Sequence, residues 1–357
     1  MKYNLLQPAR KIVLATAVSA LTLSASHAQP PADPQMQSVL DKLGTLGGKP
    51  IEGLSPAEAR KQPTPADAVA SLMKEQGKKG PEKVAHVEDL QMELSTGAVK
   101  ARIYQPAGAG PFPVILYIHG GGWVIADLDT YDATPRALAN ATGALVVSTH
   151  YRQAPEFKFP AALEDVFGAY VWTLGNAHRW NANTKKVAIV GESAGGNMAA
   201  SVCRMAMEKG VQAPLHQVLV YPVADTAMDT ASYAENAKAK PLNAAMMKWF
   251  AGHTFAKPAD ALLPSVALLK AASFKGMPSA TIITAQIDPL RSEGEALAKR
   301  MQADGVKVVY QNYDGVTHEF FGMAAVVDKA KEAQTLVATN LKAAFAATPG
   351  SGAKPVK

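Results

Sequence analysis

The chain has 357 residues, which suits about two domains, or one large α/β domain with an appended subdomain. Hydrophobic residues make up 48% and charged residues 18%, which excludes disorder of the whole chain. The formal charge is +6, but Lys2, Arg10 and Lys11 lie in the first 28 residues, and removing them leaves 33 basic against 30 acidic residues. This near-neutral body predicts no nucleic-acid partner.

The first 28 residues have the layout of a secretory signal peptide. The three basic residues come first, an uncharged and mostly apolar run covers 12–26, and Ser26-His27-Ala28 places small residues at the third and first positions before a cut. The run is shorter than the roughly 20 apolar residues of a membrane anchor, which is the alternative. The sequence predicts cleavage after Ala28, a periplasmic or secreted mature protein, and no membrane span in it.

From residue 29 onwards, predicted elements alternate along the chain. Helical stretches broken by Pro and Gly come first, at 36–43, 56–60 and 65–77. Eight β-rich stretches are predicted as strands, at 87–94, 98–104, 114–118, 144–149, 187–190, 218–221, 280–284 and 306–310. Helices are predicted between and after them, at 131–142, 160–177, 194–209, 292–303 and 324–345. Alternating strands and helices predict an eight-stranded, mostly parallel sheet with helices on both faces and an antiparallel first pair.

Two segments interrupt this rhythm. Residues 29–84 are helical and precede the strands, and residues 225–275 form an excursion between the sixth and seventh strands. Together they predict a helical cap over one edge of the main α/β domain, which spans 85–347. The tail, 348–357, is rich in Gly, Pro and Lys and is predicted to be flexible.

A G-x-S-x-G motif, GESAG at 191–195, directly follows the fifth predicted strand and opens a helix. This is the pattern of a nucleophile elbow, in which a sharp turn raises a serine hydroxyl above the sheet. The helix N-terminus adds partial positive charge beneath a developing anion. A turn serine without chemistry is the alternative, but the strand before and the helix after favour Ser193 as a nucleophile.

A glycine-rich loop, HGGGW at 119–123, follows the third predicted strand. Glycines let backbone N–H groups approach a ligand closely. A phosphate-binding loop is disfavoured, because no Lys and no Ser or Thr follow in the required order. An oxyanion hole needs two or three N–H donors aimed at one point, and Gly121, Gly122 and Ala194 are the candidates.

A serine nucleophile needs a base, and the base needs an orienting acid. His318 follows the eighth predicted strand and Asp288 follows the seventh, which gives the chain order Ser, Asp, His expected of this arrangement. Asp314 is nearer to His318 in sequence, but Asp314-Gly315 is typical of a turn on the same short loop. Asp288 is the predicted acid, since parallel strands gather their functional loops at one edge.

No metal and no cofactor are predicted. The pair at 318–319 begins like the zinc motif H-E-x-x-H, but residue 322 is Gly and no second ligand is present. Arg152 and Glu156 are interpreted as structural, as an ion pair that braces their loop.

These motifs together resemble the hormone-sensitive-lipase-like branch of the α/β-hydrolases, the bacterial esterases that carry HGGG. The resemblance covers roughly 85–345 and rests on separated motifs in the family's order: HGGGW at 119–123, YRQAPE at 151–156, FPAALED at 159–165, GESAGG at 191–196, DPLR at 288–291 and the histidine at 318. The chain departs from the common pattern at Gln153, Glu192 and Ser292, none of which belongs to the candidate triad.

The resemblance implies an α/β-hydrolase fold and a serine carboxylic-ester hydrolase that forms an acyl-enzyme on short- to medium-chain esters. It also allows a homodimer through the eighth strand. Trp123 is a candidate for substrate binding, with core packing as its alternative. An amidase or peptidase with the same triad is the competing enzyme class. A non-catalytic small-ligand receptor, as in the plant gibberellin receptors, is disfavoured because His318 is retained.

Overall fold

The computed structural model describes Met1 and residues 30–78 and 80–347. The predicted signal peptide, its cleavage site after Ala28 and the predicted tail at 348–357 lie outside the described residues, apart from Met1. In this part of the chain, no helix combines the length and apolar character that crossing a bilayer would require.

The centre of the molecule is one eight-stranded sheet in the order β1-β2-β4-β3-β5-β6-β7-β8. Its strands are β1 (His86–Leu94), β2 (Gly97–Gln105), β3 (Phe112–Ile118), β4 (Leu145–Thr149), β5 (Ala182–Glu192), β6 (His216–Val220), β7 (Ser279–Ile287) and β8 (Val308–Thr317). β2 pairs antiparallel with both β1 and β4, and the other neighbours pair in parallel. The predicted fold class and the antiparallel first pair are confirmed.

The eighth strand is longer than predicted. It begins at Val308 instead of residue 306 and continues to Thr317. Tyr313 pairs with Ala285 and Thr317 with Ile287, so β8 carries extra residues in a bulge. The Asp314-Gly315 turn signal, with Gly315 at φ +68°, marks this bulge and not the end of the strand.

Eleven α-helices surround the sheet in the described residues. They are α1 (Pro34–Thr45), α2 (Pro56–Ala59), α3 (Pro65–Glu75), α4 (Ala133–Thr142), α5 (Ala161–Asn176), α6 (Ala194–Glu208), α7 (Ala231–Glu235), α8 (Ala244–Thr254), α9 (Pro258–Ala261), α10 (Arg291–Ala303) and α11 (Asp328–Ala346). The predicted final helix, 324–345, starts later than expected, at Asp328, and a 3-10 turn at Phe320–Met323 precedes it.

The sheet divides the core into two layers, since successive side chains along a strand point to opposite faces. In β3, Leu116 belongs to the layer with α5, α6, α8 and α10, and Tyr117 belongs to the layer with α1, α3, α4 and α11. The N-terminal helices α1 and α3 thus cover one face of the sheet, whereas residues 46–64 between them reach the carboxyl end of the strands, where the cavity described below lies.

Candidate active site

Ser193 lies in a strained turn between β5 and α6. Its backbone has φ +56° and ψ −120°, which only a tightly determined surrounding maintains in a non-glycine residue. The turn is possible because the residues two positions before and after Ser193 are glycines: a Cβ at Gly191 would overlap the Gly195 carbonyl, and one at Gly195 would overlap the Ile118 carbonyl. The Ser193 N–H donates to the Val220 carbonyl at 2.9 Å, which fixes the turn to the end of β6.

Three predicted site residues meet at the carboxyl end of the sheet. His318 Nε2 lies 3.0 Å from Ser193 Oγ, and His318 Nδ1 lies 2.7 Å from Asp288 Oδ2. Asp288 and His318 each follow directly after a strand, β7 and β8 respectively. All three residues are buried, with Ser193 6% exposed. The Leu290 N–H donates to Asp288 Oδ1 at 2.9 Å and holds the carboxylate in place.

The charges around His318 favour its protonated form. Burial by itself lowers the pKa of the imidazole, but the Asp288 carboxylate, with Glu319 and Glu192 further away, raises the pKa above its ordinary value. An imidazole held in this way accepts a proton readily and keeps one tautomer, with Nδ1–H towards Asp288. Tyr221 packs on the ring with centroids 4.4 Å apart.

Asp314, the alternative acid, lies in the β8 bulge and not beside His318 at the end of the strand. It is exposed in the β8 bulge, and its Oδ1 accepts a hydrogen bond from the Asn312 side chain at 2.8 Å instead of from backbone N–H groups. The bulge therefore separates Asp314 from the imidazole, although Asp314 lies only four positions before His318 in the sequence.

The glycine loop passes beside the serine. Gly121 has φ +91° and Gly122 has φ +57°; a Cβ at Gly121 would overlap the Ile125 carbonyl, and a Cβ at Gly122 would overlap the ring of Phe250 in α8. In the described part of the chain neither N–H has a hydrogen-bond acceptor. Ala194 is the first residue of α6, where backbone N–H groups have no partner within the helix. The loop and helix therefore offer free N–H groups next to Ser193.

His119 holds this loop from within. Its Nδ1 lies 2.9 Å from the Gly120 carbonyl and its Nε2 lies 3.0 Å from His150 Nδ1, and the Tyr151 hydroxyl donates to the Gly120 carbonyl at 2.8 Å. Burial, with the neighbouring His150, lowers the pKa of His119 to about 3. His119 is thus a neutral structural group.

The expected ion pair between Arg152 and Glu156 is wrong. Arg152 pairs with the buried Asp165, at 2.8 Å between Nη2 and Oδ1. Glu156 pairs instead with Arg60, which follows α2 and lies 96 positions away. Arg60 also donates to the carbonyls of Val124 and Ala154, each at 2.8 Å. Two Arg–carboxylate pairs therefore brace the loops, and one of them joins the N-terminal segment to the glycine loop.

Ser193 and His318 open into a cavity of about 1200 Å³. Apolar side chains from the loops and from α8 line one part of it, namely Trp123, Leu128, Leu242, Met246, Met247 and Phe250. Trp123 is 6% exposed, so it borders the cavity with little of its surface and packs mainly in the core. Its role in substrate binding stays a prediction.

Sequence reasoning missed several groups around the triad. Tyr131 and Glu319 line the cavity beside His318, and the Tyr131 hydroxyl donates to Glu319 Oε1 at 2.6 Å. Glu192 is fully buried beneath them and accepts hydrogen bonds from the hydroxyls of Tyr117 and Tyr221. Burial and the nearby Glu319 raise the pKa of Glu192 to about 7. The only sequence signal was the acidic residue itself within GESAG.

The chain is similar to known ester hydrolases. A family model described as the α/β hydrolase fold matches residues 115–322. The chain is 37% identical over 255 residues to the carboxylic ester hydrolase LipN of Mycobacterium tuberculosis, a match that covers 68% of this chain and 66% of LipN, just under two thirds. It is 30% identical over 310 residues to the ethyl acetate hydrolase of Pseudomonas putida, covering 85% of this chain and 95% of that protein.

A solved structure gives the same result. The hyperthermophilic esterase of the archaeon Pyrobaculum calidifontis is similar with a TM-score of 0.80 at 34% identity, over 89% of this chain and 100% of that one. The chain therefore belongs to the hormone-sensitive-lipase-like family of carboxylic ester hydrolases within the α/β-hydrolase fold.

Proposed function

We propose that the protein is a serine esterase that hydrolyses short- to medium-chain acyl esters through an acyl-enzyme on Ser193. The observation that carries this proposal is the hydrogen-bonded row Ser193–His318–Asp288, with separations of 3.0 and 2.7 Å at the ends of β5, β8 and β7. Nucleophile, base and orienting acid in one row is the arrangement that activates a serine at neutral pH.

In acylation, Ser193 Oγ attacks the ester carbonyl carbon while His318 Nε2 takes the hydroxyl proton. The imidazolium then gives that proton to the departing alkoxide, and the alcohol leaves. Asp288 stays ionised and stabilises the imidazolium through Nδ1–H. In deacylation, water attacks the acyl carbon, His318 takes the water proton and returns it to Ser193 Oγ, and the carboxylic acid is released.

The carbonyl oxygen becomes negatively charged in both steps. The N–H groups of Gly121, Gly122 and Ala194 form the proposed oxyanion hole, and their positive φ angles and missing side chains support this role for the two glycines. Such donors act without reorganising during the reaction, because the glycine loop is held by His119, Tyr151 and Arg60. No step needs a metal or cofactor.

The substrate range follows from the helical segments above the sheet. We propose that parts of the segments 29–84 and 225–275, namely residues 46–64 and 240–250, act as a cap on the catalytic domain 85–347, whereas α1 and α3 cover a face of its sheet. Phe250 packs against Gly122 and fills the space directly over the glycine loop. A cap side chain at this point limits the length and breadth of the acyl group, which supports short to medium chains over long ones.

A covalent label tests the nucleophile directly. Treating the protein with an aryl phosphonate ester should modify Ser193 alone, as read by peptide mass spectrometry, and should abolish hydrolysis of an aryl ester. Labelling of another residue, or loss of activity without any label, would contradict the proposal.

An amidase with the same triad is the competing function. Hydrolysis of a matched pair, an ester and its amide, separates the two classes, and we expect the ester to be turned over far faster. An amide turned over as fast as its ester would favour the alternative. A protein that binds ligands without turnover would show neither reaction.

We further propose export with cleavage after Ala28, which places the mature protein in the periplasm or outside the cell. Mass spectrometry of the exported protein should give a chain that begins at Gln29. An exported chain that still begins at Met1 would overturn the assignment.

A homodimer through β8 is the remaining proposal. β8 is one of the two outer strands of the sheet, and Val309 on it is 41% exposed, so a second copy could extend the sheet across this edge. Sedimentation should give twice the monomer mass. A charged or proline substitution at Val309 should reduce that mass to the monomer's.

A further inference from the structure

Glu319 occupies a backbone conformation that costs energy for any residue with a side chain. It follows His318 directly and has φ +71° and ψ −1°, in the left-handed region. A glycine adopts this conformation freely. Strained backbone of this kind clusters at functional sites, and it gives a reason to ask what the Glu319 side chain does there.

The carboxyl group lies next to the reacting nitrogen. Glu319 Oε1 is 3.8 Å from His318 Nε2, the atom that faces Ser193 Oγ, and both residues line the cavity. Oε1 is too far from Nε2 for a direct hydrogen bond. The separation does suit one water molecule that bonds to both atoms, since each bond would then be of ordinary length.

Tyr131 holds the carboxyl group in this position. Its hydroxyl donates to Oε1 at 2.6 Å. The same hydroxyl lies against Gly120, because a Cβ added at Gly120 would overlap it. That Cβ would also lie 3.1 Å from Ser193 Cβ, so Tyr131, Gly120 and Ser193 are close neighbours. An ionised carboxylate has about four acceptor positions, so one tyrosine leaves capacity for a water molecule.

We propose that Glu319 is a catalytic residue of deacylation that orients the hydrolytic water, an inference that rests on the acyl-enzyme mechanism above. The water donates one hydrogen to His318 Nε2 and the other to Glu319, which leaves a lone pair directed at the acyl carbon. The new carbon–oxygen bond forms as His318 takes one proton; the bond to Ser193 Oγ then breaks and that proton returns to Oγ. Glu319 neither gains nor loses a proton.

This role separates the two half-reactions. Acylation releases the alcohol of the ester and uses no water, so it does not need Glu319. When the Glu319 carboxylate is removed, deacylation loses the hydrogen-bond acceptor that positions the attacking water. Losing one hydrogen bond to a charged group corresponds to about a tenfold change in rate.

Stopped-flow measurement with p-nitrophenyl butyrate resolves the two steps. In Glu319→Gly we expect the acylation rate constant to stay within about twofold and the deacylation rate constant to fall about tenfold. Acyl-enzyme then accumulates, and the p-nitrophenol burst approaches one equivalent per protein. Glycine relieves the backbone strain, so folding is retained; Glu319→Gln keeps a partner for Tyr131 without the charge and should show the same asymmetry.

Added formate supplies a readout that a structural role would not move. A small carboxylate that enters the vacated space should restore deacylation in Glu319→Gly without changing acylation. Asn181→Gly is the matched control for relief of strain, because Asn181 has φ +51° at the opposite end of β5 from Ser193. We expect both of its rate constants to equal those of the wild type.

Each outcome decides the inference. Equal slowing of both steps in Glu319→Gly, an unchanged deacylation rate, or no rescue by formate would overturn it while leaving the serine mechanism intact. Failure of the proposed function looks different: no acyl adduct would form on Ser193 in any variant, and no burst would be seen even when turnover is measurable.

Discussion

The cavity has two walls, and different interactions hold them in place. One wall is the edge of the sheet, where Ser193, Asp288 and His318 each stand directly after a strand whose backbone is fixed by its neighbours. The other wall consists of residues 46–64 and 240–250, which reach the site through side chains. The sheet wall determines where the reacting atoms lie, and the helical wall determines what space the substrate has.

The contacts between the walls are few and long-range. Arg60 reaches the glycine loop and Glu156, and Phe250 packs on Gly122. Within the helical wall, the Trp249 indole donates to the Leu54 carbonyl at 3.1 Å and joins its two segments. Changes in the sheet wall should therefore affect the rate of the chemical steps, whereas changes in the helical wall should affect substrate preference. The predictions below test this division.

The largest effect is expected at the nucleophile. Ser193→Ala should lower kcat for a simple aryl ester by about 10⁴ or more, because the residues of a triad act as a unit. The fold should persist, as circular dichroism and thermal unfolding can show, since the change removes one oxygen atom. Retention of most of the activity would place the chemistry outside the sheet wall.

The two acids give the next largest effect. Asp288→Asn should keep the fold and lower kcat by up to about 10⁴, because an amide favours the wrong tautomer of His318. Asp314→Asn serves as the matched control and should cost far less, since the Asp314 carboxylate is exposed and hydrogen-bonds to the Asn312 side chain, away from His318. The reverse ranking of the two variants in a kcat assay would move the acid role to Asp314.

These two acids also show what the sequence could predict. Ser193, Asp288 and His318 were identifiable because each follows a strand with a clear apolar or β-branched pattern. The part of β8 beyond residue 310 was not predicted, because its first residues are partly exposed and the turn signal at Asp314-Gly315 lies in a bulge. The conclusion about the acid was nevertheless unaffected, since it depended on the neighbouring strand.

The helical wall was far less predictable. Arg60 pairs with Glu156, and Phe250 contacts Gly122. Each contact joins segments roughly 100 residues or more apart, and no local sequence pattern encodes such a contact. Glu319 was considered only as part of a failed zinc motif. Its position beside His318 Nε2 depends on a left-handed backbone that the sequence gives no reason to expect of a glutamate.

A change in the helical wall should alter substrate preference with little effect on the chemical step. We expect butyrate esters to be turned over faster than emulsified long-chain triglycerides. Met246→Ala enlarges the cavity, and it should raise kcat/KM for octanoate relative to butyrate by up to about tenfold, because each added methylene contributes modestly to binding. Met207→Ala is the control, since Met207 is 39% exposed and does not line the cavity.

Equal loss of activity on all chain lengths in Met246→Ala would show that the helical wall acts on the chemistry as well. Faster hydrolysis of long-chain fat than of butyrate by the wild type would contradict the proposed cap.

The smallest expected effect is a shift in pH dependence, and it tests the charges within the sheet wall. The base must be neutral to take the Ser193 proton, so activity falls as pH drops through the pKa of His318. Although burial lowers this pKa, the carboxylates of Asp288, Glu319 and Glu192 raise it overall, so the acidic limb of kcat/KM should lie above the ordinary histidine value of about 6.5. Glu319→Gln removes one raising charge and should move the limb to lower pH. Asp314→Asn removes an exposed carboxylate and should leave it in place. A wild-type limb below the ordinary value would show that burial outweighs the carboxylates. The same limb in Glu319→Gln would show that Glu319 does not contribute to the protonation of His318.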